Sequence, residues 1–292
     1  MVVRLRVAGL VLAARAPRPC RALLIPGPLS RFAARHGEDI RLDVTDAPAP
    51  AAGPLLFESG GLWRVHGHGT RLLYLFHEPL PGAPLERALH IDSGLRRGVL
   101  HLPKQNWRAP AGFALGYPLD ELLFQHRFAR EKALELHACG LVVGGRAVLL
   151  CGSSGAGKTT SARLWMRRRP RTSVLSDDRI VVRPEGHGFR AHGTPWHGSG
   201  RYASRASRPL AAVFFIRHAP SSVAVRMDRA AAAGELFARA FPPPWDRRGI
   251  AATLHTCDRL ASRVACFSLG FRPDASAVSA VENALTTLRP GG

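Results

Sequence analysis

One eight-residue segment constrains the fold of this 292-residue chain more than any other. An apolar segment precedes it and a helical pattern follows it, which predicts a strand, a glycine-rich loop and a helix in succession. Backbone N–H groups in such a loop can surround phosphate oxygens only where no side chain blocks the approach, which explains the glycines. The segment matches the phosphate-binding pattern G-x-x-x-x-G-K-[ST] at every position and consists of Gly152, Ser153, Ser154, Gly155, Ala156, Gly157, Lys158 and Thr159.

The polar residues at the end of this segment have predicted roles in holding a nucleotide. Lys158 is expected to reach the β- and γ-phosphates, and Thr159 is expected to bind Mg²⁺. Thr160 follows them and completes the predicted phosphate-binding residues. The N-terminus of the helix that begins here directs partial positive charge at the same anion. The segment therefore predicts binding of a nucleotide phosphate with magnesium.

Two adjacent acidic residues about 20 positions downstream supply a second part of the predicted site. Asp177 and Asp178 follow the short apolar segment 174–176. A phosphate-binding loop needs an acidic residue at the end of a neighbouring strand, to hold Mg²⁺ or its waters. Two carboxylates also allow one to bind metal while the other accepts a proton from an attacking hydroxyl. Alone, the pair would suggest an ordinary turn; beside the loop, the metal or base interpretation is favoured.

The remaining pattern divides the chain into two predicted domains. Residues 1–108 carry short alternating or β-branched segments, separated by turn-forming clusters such as Pro79 to Pro84, and predict a β-rich domain for packing or recognition. Residues 109–292 predict an α/β domain with several hairpins. In it, a helical period of about 3.6 continues to Leu136, and a hairpin around Gly144-Gly145 leads into the glycine-rich loop.

The charge of the chain is strongly positive but evenly spread. The 41 basic and 21 acidic residues leave a formal net charge of +20, of which residues 1–108 carry +7 and residues 109–292 carry +13. The one dense basic cluster lies at the end of the predicted loop helix and contains Arg163, Arg167, Arg168, Arg169 and Arg171. Cations at a helix C-terminus complement the helix dipole. Because no recognition motif or aromatic-stacking signature accompanies this cluster, nucleic acid is an unfavoured partner.

The sequence predicts a cytoplasmic protein that does not insert into a membrane. No apolar run approaches the roughly 18 residues that a membrane span needs. The apolar segment 7–14 is flanked by arginines and makes a poor export signal. The five cysteines form no C-x-x-C pair and leave an odd count, which excludes a recognisable disulfide framework or zinc site.

At these motifs the sequence resembles HPr kinase/phosphorylase and its HPr-kinase-like relatives. The β-rich N-terminal region is similar to that of the HPr-kinase-like proteins associated with peptide-modification gene clusters. The resemblance covers about residues 117–200 well. It is carried by Leu136-His137-Ala138, Leu141-Val142-Val143, the hairpin that leads into the 152–159 loop, and Leu175-Ser176-Asp177-Asp178.

The resemblance implies a PEP-carboxykinase-like P-loop kinase core with an N-terminal β-rich region. It also implies ATP and Mg²⁺ as cofactors, a serine of a protein or peptide as acceptor, and a possible homo-oligomer. By position, it implies that His137 lies near the active-site carboxylates and that Asp177 is the leading general base. It also implies that Asp178 sits beside Asp177 and either binds the metal or contacts a group that does. Which aspartate has which role stays open, and His137 could instead be a satisfied histidine at a helix end.

One departure from the family concerns the region that follows the aspartate pair. The family's glycine-rich arginine signature is not clearly present, and residues 193–201 read GTPWHGSGR here. This segment is either a substrate loop, in which His197 and Arg201 meet phosphate or developing negative charge, or an ordinary connection. The departure leaves phosphorylase activity, and HPr itself as the acceptor, without support.

The sequence as a whole predicts an HPr(Ser)-kinase-like phosphotransferase. The expected reaction transfers the γ-phosphate of ATP, with Mg²⁺, to a serine or similar hydroxyl of a protein, peptide or small molecule. The alternative is a non-catalytic ATP-binding regulatory or scaffold module, and a nucleic-acid-binding ATPase is less favoured.

Overall fold

The computed structural model describes residues 1–77 and 85–288 and divides into two compact units. The predicted turn-rich segment from Pro79 to Pro84 lies outside the described residues. The first unit extends 19 residues beyond the boundary that the sequence suggests at residue 108. The segment 109–118 and most of the helix that follows it belong to the first unit. The units comprise Met1–Arg127 with Pro244–Asp246, and Phe128–Pro243 with Arg247–Gly292.

The first unit is built on a mixed sheet of eight strands, in the order β1-β2-β3-β8-β7-β6-β5-β4. Strand β3 pairs in parallel with β2 and β8, and the other pairings are antiparallel. The strands are β1 (Val2–Val7), β2 (Leu10–Arg15), β3 (Ile40–Thr45), β4 (Leu55–Glu58), β5 (Trp63–His68), β6 (Arg71–His77), β7 (Leu85–Asp92) and β8 (Arg97–His101). Short 3₁₀ helices lie at Arg21–Leu23, Gly27–Phe32 and Lys104–Arg108.

The helix that the sequence predicts after residue 118 is shorter than its periodicity suggests. Helix α1 spans Leu119–Arg130. Lys132 then adopts a left-handed backbone with φ of +57°, and the Ala133 N–H donates to the Phe128 carbonyl at 3.1 Å. This six-residue closure ends a helix, because it satisfies a terminal carbonyl while turning the chain away.

The residues that follow α1 form a strand, which corrects the expectation of a helix continuing to Leu136. Strand β9 runs over Leu134–Val143 and contains His137, so the interpretation of His137 as a helix-end residue is wrong. Leu134, Leu136 and Ala138 are buried in one core at a spacing of two, as one face of a strand requires. The spacing of four between Leu134 and Ala138 fits a helix as well as a strand, whereas the spacing of two fits only the strand.

The second unit contains the other strands and helices, in an α/β arrangement. Its sheet has the order β10-β9-β12-β13-β14-β16-β15; β11 pairs with β9, and β10 also pairs in parallel with β14. Its further strands are β10 (Arg146–Cys151), β11 (Ser173–Ser176), β12 (Arg179–Glu185), β13 (Gly188–Gly193), β14 (Ser207–His218), β15 (Ala224–Arg226) and β16 (Ala265–Phe271). Its helices are α2 (Lys158–Arg168), α3 (Arg229–Phe237), α4 (Arg247–Arg263) and α5 (Ala275–Thr286).

Strand β10 is buried on both faces, and this fixes where the loop after it lies. Leu149 belongs to a core that includes residues of α3 and α4, whereas Val148 and Leu150 belong to a second core with residues of α2 and α5. An almost continuous apolar run is expected for such a strand. The chain is therefore a mixed α/β protein with two sheets, and β10 delivers the glycine-rich loop to the end of the second one.

Two further features of the described residues concern membrane-spanning helices and cysteines. No helix in ranges 1–77 and 85–288 is long and apolar enough to cross a membrane. All five cysteines are buried and free, so they contribute to packing and form no disulfide.

Candidate active site

The glycine-rich loop joins β10 to α2, so the predicted succession of strand, loop and helix is present. Gly157 precedes α2 with a left-handed φ of +101°, and no side chain caps the helix. The first turn of α2 also contains no acidic residue. Its N–H groups are consequently available to an external acceptor, which is what an anion site at a helix N-terminus requires.

Gly157 is also required by its neighbours. A Cβ added at this position would lie 2.5 Å from Cε1 of Phe271 in β16, far inside the contact distance. The left-handed backbone disfavours any other residue as well. Glycine at this position therefore serves both the backbone turn and the close packing of the loop on the sheet.

We expect Gly157→Ala to lower the free energy of unfolding by about 2–5 kcal/mol, from about 1–2 kcal/mol of backbone strain and about 1–3 kcal/mol of overpacking. Gly186→Ala is the matched control, because its φ is +54° and an added Cβ meets nothing within 4 Å. Urea unfolding of both variants measures the difference. Equal losses would show that the contact with Phe271 is relieved without cost.

The Lys158 amine is folded over the loop itself. Its Nζ donates to the carbonyl of Gly152 at 2.8 Å and to that of Ser153 at 3.0 Å, and the residue is buried. Burial lowers the pKa of Lys158, and the charge of Asp178 opposes that shift. The preceding Cys151 is inert, because burial raises the pKa of its thiol to about 12.

Asp177 is buried and anchors a distant loop. Its Oδ1 accepts from the backbone N–H of Gly198 at 3.0 Å and of Tyr202 at 3.3 Å. Its Oδ2 accepts from the N–H of Gly200 at 2.7 Å and from Thr159 Oγ1 at 3.3 Å. These four bonds fill the acceptor sites of a carboxylate and join the loop 198–202 to the start of α2.

Asp178 is half-buried and forms a pair with His137. Its Oδ1 lies 2.9 Å from His137 Nε2, and its Oδ2 accepts a hydrogen bond from Arg179. Burial raises the pKa of Asp178, but the His137 hydrogen bond and the charges of Arg179 and Lys158 outweigh it, so the pKa lies below its ordinary value. The Asp178 carboxylate is therefore ionised at neutral pH.

Arg179 belongs to the site although the sequence reasoning did not select it. Its Nε lies 3.6 Å from Oε1 of the buried Glu135, and its guanidinium lies 4.4 Å from the ring centroid of Phe241. These contacts orient Arg179 toward Asp178. A basic residue directly after two acidic ones was a visible signal, whereas no local pattern points to Glu135 or Phe241.

Most of the predicted site residues lie around one cavity of about 400 Å³. Gly152, Ser153 and Ala156 are absent from its wall, although the carbonyls of the first two bind Lys158. The predicted residues that line it are His137, Ser154, Gly155, Gly157, Lys158, Thr159, Thr160, Asp177 and Asp178.

The structure divides the predicted substrate loop. Gly198 and Ser199 line the cavity, whereas the exposed His197 and Arg201 are not part of its described wall. His197 Nδ1 lies 3.0 Å from the adjacent Gly198 carbonyl. The glycines here also hold position: a Cβ at residue 200 would lie 2.6 Å from Oδ2 of Asp177, so Gly200 permits the close approach that the anchor needs.

Comparison with known proteins places the site in a family. The family model described as SynChlorMet cassette protein ScmC matches residues 121–268, about half of the chain. The chain belongs to this family. The match to ScmC begins in α1, ends in β16, and includes the glycine-rich loop, both aspartates and the loop that Asp177 anchors. No curated protein matches this ScmC-family chain.

Among solved structures, the Hpr(Ser) kinase/phosphatase from Coxiella burnetii matches the ScmC-family chain. The two share 12% sequence identity with a TM-score of 0.31, over 53% of this chain and 97% of that chain. Because the TM-score is so low, we take nothing about activity from this match.

Proposed function

We propose that this ScmC-family chain is an ATP- and Mg²⁺-dependent kinase that transfers the γ-phosphate to a serine or similar hydroxyl of a protein, peptide or small molecule. The observation that carries the proposal is the grouping of Lys158, Thr159, Asp177 and Asp178 around one cavity. Phosphoryl transfer is catalysed mainly by positioning and by electrostatic stabilisation, which this set of groups can supply.

The residues of the cavity fit the proposed cofactors. The uncapped first turn of α2 and the glycines of the loop suit the oxygens of a triphosphate. Thr159 offers a hydroxyl oxygen and Asp178 a carboxylate oxygen, the kinds of ligand that Mg²⁺ takes beside phosphate and water. When bound, the metal would neutralise charge on the phosphates.

The contacts favour Asp178 over Asp177 as the proton acceptor, which reverses the assignment implied by family resemblance. Asp177 already accepts four hydrogen bonds, whereas Asp178 has two side-chain partners, His137 and Arg179, and keeps lone pairs directed to neither. In the proposed step the acceptor oxygen bonds to the γ-phosphorus, the bond to the β-phosphate oxygen breaks, ADP leaves, and the hydroxyl proton passes to Asp178. His137 and Arg179 act as positioning residues for that carboxylate.

The acceptor in this proposal is a serine on a protein or peptide, with a small-molecule hydroxyl as the other substrate class. Ser199 stands in the cavity wall where an acceptor would enter. The proposed activity implies a cytoplasmic location, where ATP is abundant.

We expect Asp178→Asn to reduce transfer by about 10²–10⁴-fold, the usual contribution of a general base, while ATP binding persists. The assay uses the full chain, Mg²⁺, ATP labelled at the γ-phosphate, and a pooled library of serine-containing peptides. Asp43→Asn is the control, because Asp43 is an exposed residue of the first unit that pairs with Arg41.

Two results would contradict the proposal. Full transfer by Asp178→Asn would remove Asp178 from the reaction. Tight ATP binding by the unaltered chain, with no label on any peptide, would instead support the non-catalytic ATP-binding module.

A further inference from the structure

A second cavity, of about 460 Å³, lies at the opposite end of α2 from the candidate active site. Its wall includes Val142 and Val143 at the end of β9, residues 168–172 at the end of α2, and Glu282 of α5. Helix α2 runs from Lys158 to Arg168, which corresponds to about 15 Å at 1.5 Å per residue. Binding in this cavity is therefore separable from chemistry at the loop.

The cavity carries more positive charge than the protein neutralises. Arg169 is paired with Glu282 through two bonds, Nε to Oε1 at 2.7 Å and Nη2 to Oε2 at 3.0 Å. Among the described residues, Arg168 reaches only the Ser279 hydroxyl, at 3.4 Å. The Arg171 side chain has no hydrogen-bond or ion-pair partner within residues 1–77 and 85–288. Two guanidinium groups are thus available to an anion.

A helix dipole does not account for this charge. The C-terminus of a helix carries the equivalent of about half a negative charge, which one cation balances. Here five of the nine residues 163–171 are arginines and none is acidic. Arg171 also lies beyond the last residue of α2, Arg168. The excess is concentrated where the cavity opens.

The wall also offers aliphatic surface beside its arginines, and this helps to select among anions. Val142, Val143 and Pro170 offer aliphatic surface to an occupant. None of the described residues that line the cavity is aromatic, so it offers no platform for stacking a nucleic-acid base. A ligand with a carboxylate beside an aliphatic side chain matches both the arginines and the aliphatic residues of the wall. Arginine forms bidentate hydrogen bonds with carboxylates.

We propose that this cavity, which we call the arginine cavity, binds an acidic peptide segment with an aliphatic residue among its carboxylates. Charge complementarity selects the acidic side chains, and Val142, Val143 and Pro170 receive the aliphatic one. The proposal concerns binding and stands whether or not the chain is a kinase, because the two cavities share no residue.

The test measures binding of a fluorescein-labelled peptide with the central sequence Glu-Glu-Leu-Glu, by anisotropy at physiological ionic strength. Arg171→Glu is expected to weaken binding by about 10–100-fold, the effect of losing charge-assisted hydrogen bonds. Arg163→Glu is the matched control, because Arg163 is an exposed arginine of the same helix that does not line the cavity. It is expected to change the affinity less than about threefold.

Further measurements distinguish a specific binding site from general electrostatic attraction to a basic protein. A peptide with Gln in place of each Glu should fail to bind. If Arg171→Glu does not fold, Arg171→Gln is expected to show the same direction of effect. The proposal is overturned if the acidic peptide does not bind the unaltered chain, if the Gln peptide binds equally well, or if Arg163→Glu and Arg171→Glu cause equal losses. It is also overturned if single-stranded oligothymidine binds more tightly and is equally sensitive to Arg171→Glu.

Discussion

Lys158→Ala is expected to reduce phosphoryl transfer by at least about 10²–10³-fold, the cost of removing one donor that stabilises developing negative charge. The ammonium group lies at the loop, where its Nζ bonds to the carbonyls of Gly152 and Ser153. A triphosphate on the first turn of α2 offers it stronger, charged acceptors. Alanine has no side-chain donor, either for the loop carbonyls or for a triphosphate.

Transfer of label from ATP, together with calorimetric titration of ATP and Mg²⁺, checks this prediction. Each of the two hydrogen bonds from the charged amine to the loop carbonyls is worth about 1.5–3 kcal/mol, so far-UV circular dichroism should first establish that the variant is folded. Lys104→Ala is the control, because Lys104 is exposed in the first unit. Unchanged transfer by Lys158→Ala would refute the kinase proposal, since no other lysine lines the cavity wall that the structure describes.

Asp177→Ala is expected to lower the free energy of unfolding by about 3–5 kcal/mol, the largest effect on stability that we predict. Asp177 is 1% exposed, and its carboxylate is the acceptor for three backbone N–H groups of the loop 198–202. Alanine would leave these donors unsatisfied in a buried setting.

Chemical denaturation measures the loss, and amide hydrogen exchange locates it. The N–H groups of Gly198, Gly200 and Tyr202 should lose protection before the amides of β10 do. Asp258→Ala is the control, because Asp258 forms an exposed ion pair with Arg229, and it should cost less than about 1 kcal/mol. A loss as small as that of the control would show that the loop is held by other contacts.

Those parts of the second unit that depend on local pattern could be predicted from the sequence. The hairpin at Gly144-Gly145 and the helix from Lys158 to Arg168 are present, because turn residues and apolar spacing specify them within a few positions. The segment 265–271 is apolar at most positions and by itself predicts a strand, and β16 spans Ala265–Phe271. Apolar strands that are buried on both faces leave little ambiguity.

The parts that were missed depend on contacts distant in sequence or on a single unusual backbone angle. The end of α1 depends on a left-handed Lys132, which no propensity predicts. The residues of strand β4 are mostly exposed and alternate weakly, so no local pattern marks them as a strand. The contact of Asp177 with residues 198–202 spans more than 20 positions, and no local pattern encodes it.

Asp177 binds the main chain of the loop 198–202. The position of this loop therefore does not depend on the side chain of every residue in it. At Gly198 and Gly200 an added Cβ would lie 3.1 Å and 2.6 Å from Oδ2 of Asp177, so a side chain at either position would crowd this carboxylate. Ser199, between them, contributes none of the anchoring bonds and still faces the cavity. A substitution of Ser199 would therefore change the chemistry of the cavity wall without rebuilding the loop that presents it.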